Sequence, residues 1–218
     1  MARRTDIDWR ACIRHRLAGT APRHEREAWL IPGLTAEQTR PLLELLPSDP
    51  APAAVLVPLV ERDEGLTVLL TQRATQLKNH AGQISFPGGR IEPHDGGPVG
   101  AALREAREEI GLEAHFVEVA GFLPDHVVTS GFRVTPVVGF VRPGFELRLN
   151  AREVDDIFEV PLDFIFEPAN HRVRRRRLPG SDVELDLYDI PYGERYIWGA
   201  TAGMLLTLYR TCTQESER

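Results

Sequence analysis

Within nine residues, Arg104-Glu105-Ala106-Arg107-Glu108-Glu109-Ile110-Gly111-Leu112, the chain carries three glutamates, and this spacing constrains it more than any other segment. On an α-helix, residues at i, i+3 and i+4 share one side. Like charges so placed destabilise a helix by about 0.2–0.5 kcal/mol per pair. The arrangement therefore calls for a cation, and a hard divalent ion with oxygen ligands fits. Sixteen residues before Glu105 stands Gly89, closing Phe86-Pro87-Gly88-Gly89. A turn that needs glycine flexibility thus leads into a helix that gathers carboxylates. That layout suits a phosphate-processing site.

The 218 residues suffice for one well-filled core with an appendage. A net charge of −6 argues against a nucleic-acid partner. Cys12 and Cys212, the only cysteines, have no metal-ligand spacing and read as unpaired thiols of a reducing compartment. The N-terminus lacks the apolar segment of a secretion signal, and no apolar run approaches the ~20 residues that span a bilayer. The expectation is a cytoplasmic protein without a membrane partner.

Residues 1–50 predict a helical extension and linker. Asp8 to Leu17 and Thr35 to Leu46 have helical spacing, Thr35 and Gln38 suggest a capping box, and prolines punctuate the region. Residues 51–218 predict the main domain. Ala54–Val60 and Leu66–Thr71 read as adjacent strands around the turn Asp63-Glu64-Gly65. Val99 to Ile110 reads as a helix, with Val99, Ala102, Leu103, Ala106 and Ile110 as its apolar stripe, the glutamates flanking it, and Gly111 as C-cap. Further strands are expected at Phe116–Leu123, Phe132–Val141, His171–Leu178 and Val183–Ile190, the last two joined by a turn at Pro179-Gly180-Ser181-Asp182, with a short apolar segment at Val160–Ile165. A final helix, Trp198 to Tyr209, is apolar on most faces and so is buried or self-associating, which leaves a homodimer open. Strands and helices mix without strict alternation, which predicts an α+β sandwich.

With Gly89, Asp95, Arg104, Glu105, Glu108, Glu109 and Gly111 in place, the chain resembles the Nudix hydrolase family. That pattern is Gly, five residues, Glu, seven residues, Arg-Glu, apolar, any, Glu-Glu, any, Gly, apolar. Here Asp95 stands for the first Glu, eight residues separate it from Arg104, and Ala106 fills the first apolar position. Upstream, Leu69-Leu-Thr-Gln-Arg73-Ala74, then Lys78, Gly82 and Phe86-Pro-Gly-Gly89, are similar to the signature of the coenzyme A pyrophosphatase branch, with Ala74 in place of Ser and Lys78 in place of Arg.

The resemblance implies an αβα sandwich with a mixed β-sheet and a dependence on Mg²⁺ or Mn²⁺. It implies Glu105 and Glu109 as leading metal ligands, with Glu108 holding a further ion or its water shell. Arg104 is expected to orient a glutamate. Glu153 and Glu108 are rival general bases; the plainer reading of Glu153 is a turn acid. Arg73 and Lys78, with Gly88 and Gly89, are expected at the substrate phosphates, unless the two cations are surface charge. The implied reaction splits the pyrophosphate of coenzyme A or a derivative into 3′,5′-ADP and 4′-phosphopantetheine. The alternatives are a broader nucleoside diphosphate hydrolase, acting on dinucleotides or nucleotide sugars, and a non-catalytic ligand sensor. His80 and Phe86 read as structural. The run His171-Arg-Val-Arg-Arg-Arg-Arg177 reads as cross-strand pairing with Asp182-Val-Glu184-Leu-Asp186, against anion binding by one or two arginines. Trp198 reads as an anchor of the final helix or a dimer contact, against stacking on an adenine.

Overall fold

A computed structural model describes residues 7–128, 130–177 and 182–213. Its strands are Ala51–Arg62 (β1), Gly65–Arg73 (β2), Ile84–Ser85 (β3), Gly88–Arg90 (β4), Val117–Phe122 (β5), His126–Val127 (β6), Phe132–Val141 (β7), Val154–Pro161 (β8), Arg172–Arg177 (β9), Glu184–Tyr192 (β10) and Arg195–Ile197 (β11). Its helices are Trp9–Leu17 (α1), Ala36–Thr39 (α2), Pro98–Ile110 (α3), Leu162–Ile165 (α4) and Gly199–Thr213 (α5).

The apolar run of β1 makes it a strand buried on both faces, and it sits at the sheet's centre. It pairs antiparallel with β2 (Leu59 opposite Val68) and parallel with β7 (Ala51 opposite Phe132 through Val60 opposite Val141). The order β3-β2-β1-β7-β5, with β8 on β2, β4 on β1 and β6 on β7, is a mixed sheet. Side chains alternate between its faces. Ala54, Leu56, Val60 and Leu69 meet Ala101, Ala102, Ala106 and Ile110 of α3 on one side. Ala53, Val57, Leu59, Val68 and Leu70 meet α1 and α5 on the other. Helices on both faces of one sheet define the αβα sandwich of an α+β fold.

Helix α1 forms where expected, capped by Asp8 Oδ1, which accepts from Ala11 N at 2.9 Å. Its Ile13 and Leu17 are fully buried, each contributing about 1.5–3 kcal/mol, and Trp9 Nε1 donates to Asp163 at 2.7 Å. The Thr35–Gln38 capping box is present in both directions. Beyond one α-turn, however, residues 40–45 tighten into a 3₁₀ helix, because Pro41 lacks the N–H that would continue the α ladder. Helix α5 is buried from Thr201 to Leu208 within the chain itself, so its own core covers its apolar surface.

One local expectation changes. The short apolar strand begins earlier: β8 spans Val154–Pro161, and Leu162–Ile165 is a single helical turn. Its acids hid it, since Asp156 pairs with Arg195 and Glu159 pairs with Arg62 and Thr67. The β9–β10 hairpin forms as expected, but positions 179–181 of its turn lie outside the described residues.

Candidate active site

Helix α3 starts at Pro98, one residue before the expected Val99, and ends at Gly111 in the left-handed conformation (φ 71°), the C-cap the sequence suggested. The apolar stripe differs in detail. Ala101 is buried, Leu103 is only half-buried, and Glu109 lies in the stripe and not beside it, 3% exposed. A carboxylate at that depth needs partners. The backbone N–H of Gly88 donates to its Oε2 at 3.3 Å, and Arg73 Nη1 stands 3.8 Å from its Oε1. Burial, opposed by Arg73 and reinforced by Glu105, pushes the Glu109 carboxyl up from 4.5 to about 8. Burial also raises Glu105, against the pull of Arg104.

Glu153 reaches the same place from another element. Asn150 N donates to the carbonyl of Glu109 at 2.9 Å, and Ala74 N donates to the carbonyl of Glu153 at 2.8 Å, so this loop is pinned between α3 and the end of β2. Asn150 Nδ2 donates to Glu153 Oε1 at 3.0 Å. Glu105, Glu109 and Glu153 thereby offer carboxylate oxygens all within 4.8 Å of one another. Three converging acids, met only by Arg104 at Glu105 and by Arg73 at 3.8 Å from Glu109, suit a divalent ion that prefers oxygen.

Glu108 is not part of that convergence. It is 47% exposed and accepts from Arg104 Nη1 at 3.0 Å. Arg104 organises the helix's entry: it donates to Asp95 Oδ1 at 2.7 Å and Oδ2 at 3.1 Å, to Glu105 at 2.9 Å, and to the Arg90 carbonyl at 3.0 Å. The fork holds the Asp95 carboxyl down at about 2. The additional residue between Asp95 and Arg104 is absorbed by Gly96 and Gly97, both with positive φ.

Gly88 and Gly89 form a strand paired with Val55 and Ala54, and neither has a positive φ. Their need for glycine is space, not turn flexibility. A Cβ on Gly89 would lie 2.6 Å from Cδ of Glu105, and one on Gly88 would lie 2.5 Å from the Ala54 carbonyl oxygen. The missing side chains let the strand approach the carboxylates.

Beside these glycines opens a cavity of about 700 Å³, within the usual range for small-molecule sites. Arg73 lines it, and the buried Nε of Arg73 has no hydrogen-bond partner among the described residues. His80 also lines it while its Nδ1 contacts Gln83 at 2.9 Å, and Phe86 is buried in the core, 3% exposed. Lys78 is exposed and outside the lining. No motif pointed to the far wall, where Ile31, Leu45 and Leu46 of the N-terminal segment face the β9–β10 hairpin. Those residues meet the cavity only through tertiary packing.

A model of the NUDIX domain matches residues 50–179, more than half of the chain. The chain is 39% identical over 172 residues to a Shigella flexneri protein named "uncharacterized Nudix hydrolase NudL", covering 78% of this chain and 86% of that one. A protein of the same name from Escherichia coli is 40% identical over 159 residues, covering 72% and 80%. This chain belongs to the Nudix hydrolase family. It is a pyrophosphohydrolase of a family that generally uses divalent metal ions. Among solved structures, a Nudix hydrolase from M. smegmatis, RenU, aligns at 26% identity and a TM-score of 0.45, over 52% of this chain and 71% of that one. A Nudix-family protein from Enterococcus faecalis aligns at 18% identity and a TM-score of 0.47, over 80% and 68%.

Proposed function

We propose that the protein hydrolyses the pyrophosphate bond of coenzyme A or a derivative, giving 3′,5′-ADP and 4′-phosphopantetheine or its acylated form. The observation that carries the reading is the position of Arg73. It belongs to the residue 69–89 signature, it lines the cavity, and it lies against Glu109. Substrate recognition and the carboxylate cluster thus share one wall.

In this reading Glu105 and Glu109 would hold Mg²⁺ or Mn²⁺, Glu153 faces the ion's water shell as the base, and Glu108 acts indirectly through Arg104. A bound divalent ion would neutralise the diphosphate and lower the pKa of water. Glu153, with Oε1 held by Asn150, takes the proton of the attacking water through Oε2 as the new P–O bond forms. The bond to the bridging oxygen breaks, and Arg73 stabilises the charge on the departing phosphate. Gly88 and Gly89 keep the diphosphate's approach clear. Arg104 positions Glu105 and Glu108 and touches no substrate. Two thiols without a disulfide, Cys12 and Cys212, suit the reducing cytoplasm in which this substrate class is used.

The test is to incubate coenzyme A with the protein and Mg²⁺ or Mn²⁺ and to separate the products by chromatography. Formation of 3′,5′-ADP in step with 4′-phosphopantetheine is expected. No cleavage, with turnover of a dinucleotide or nucleotide sugar, would reject this substrate.

A further inference from the structure

The arginine run of β9 is not uniform. Arg174 Nε lies 2.8 Å from the buried Asp189, and Tyr196 bonds to both. Arg175 faces Asp186 at 3.4 Å, and Arg177 faces Asp182 at 3.3 Å. Arg176 instead lies over the Trp198 ring, 4.8 Å from its centroid, and no carboxylate among the described residues pairs with it.

Strand register explains the difference. Arg176 pairs with Leu185 and Arg174 with Leu187, so these four share one face of the hairpin. Both leucines line the cavity and pack near Ile31 and Leu42 of the N-terminal segment. Arg174 on this face is met by Asp189, which leaves Arg176 as a half-buried cation beside apolar walls. Such a charge is costly without a partner. Stacking fixes the guanidinium plane and leaves its edge N–H groups to bind two oxygens of one anion. The cavity that Arg176 and Trp198 line also touches Arg73, Gly88 and Gly89 at the reaction centre. One ligand can therefore reach both ends.

We propose that Arg176, held over Trp198, binds a phosphate monoester on the nucleotide half of the substrate, remote from the bond that is cut. This deepens the coenzyme A reading and rests on it. Arg176 is then a specificity-determining residue. It selects coenzyme A, which has a 3′-phosphate, over dephospho-coenzyme A, which differs only in lacking it. The N-terminal segment gains a purpose as well, as the wall that closes the cavity around that half.

The experiment measures kcat/KM for both compounds with wild type, R176Q and R176K, after thermal denaturation shows that each variant is folded. Wild type should favour coenzyme A by about 10- to 100-fold, the worth of one charge-assisted hydrogen-bonded pair. R176Q should bring the ratio near unity, and R176K, which keeps the charge but loses the fork, should fall between. Equal use of both compounds by wild type overturns the inference alone, as does an undiminished ratio in R176Q. Failure to cut either compound, with another nucleoside diphosphate turned over, overturns the coenzyme A reading and this inference together.

Discussion

Two runs of like charge stand in this chain, and the fold treats them oppositely. The arginines of β9 meet carboxylates: Arg174, Arg175 and Arg177 each have an acidic partner within 4 Å. Glu105 and Glu109 of α3 are instead turned inward beside a third acid, Glu153, with Arg104 2.9 Å from Glu105 and Arg73 3.8 Å from Glu109. The lesson is that a charge run by itself says little. What marks a site is like charge that the protein buries together with too few cations to balance it. Glu108 and Glu109 make the point within two residues, one exposed on Arg104 and the other sealed behind Gly88.

Predictions can break this contrast. The largest effect is expected for E109Q, which keeps the volume but removes a ligand charge: kcat should fall more than about 100-fold while thermal denaturation shows a folded protein. Full activity would place Glu109 with the structural pairs.

Asp95 comes next, because its bond to Arg104 sets the start of the helix. At neutral pH D95N should cost about 1–3 kcal/mol, measured by urea unfolding. The Asp95 carboxyl is held below its ordinary 3.8, at about 2. Its stabilisation is therefore complete above pH 3.8 and is lost as pH falls through about 2. The gap between wild type and D95N should close over that window; a constant gap would contradict the pairing.

The sign reverses for Glu109, whose carboxyl is raised from 4.5 to about 8. Without metal, the stability contributed by its proton is full below pH 4.5 and disappears as pH rises toward 8. A divalent ion requires the deprotonated acid. The rise in Tm caused by saturating Mg²⁺ should accordingly be larger at pH 8.5 than at pH 5.5, by about 2–4 °C for each kcal/mol of difference in binding. An equal rise at both values would remove Glu109 from the ion's neighbours. The smallest effect belongs to the hairpin. D186N breaks an exposed pair with Arg175 and should change stability by under about 0.5 kcal/mol, with turnover unaltered; a large loss would show that the hairpin's pairing is as consequential as the buried acids.

Much of the fold was legible because its signals are local. The double-faced apolar run of β1, the capping box at Thr35 and the C-cap at Gly111 each reside in a few neighbouring residues. Strand β8 was obscured, since its acids are satisfied by Arg62 and Arg195 from elsewhere in the chain. At the site, the motif gathers Glu105 and Glu109, but sequence spacing does not separate a ligand from a neighbour. Burial does, through the sheet packed beneath α3, and it takes Glu109 in and leaves Glu108 out. Glu153 arrives through backbone hydrogen bonds from Ala74 and to Glu109, which no periodicity encodes. The glycine pair was read as a bend, when its demand is the 2.6 Å that a Cβ on Gly89 would leave to Glu105. Arg176 stood out only after its neighbours were paired off.

The most direct measurement of the central claim is anomalous diffraction from crystals grown with Mn²⁺ and a non-hydrolysable diphosphate analogue. The account expects manganese peaks coordinated by Glu105 and Glu109, with Glu153 beside the ion's water and the analogue's diphosphate beside Arg73. Peaks only at other acids, or none with those three glutamates paired to arginines, would contradict it.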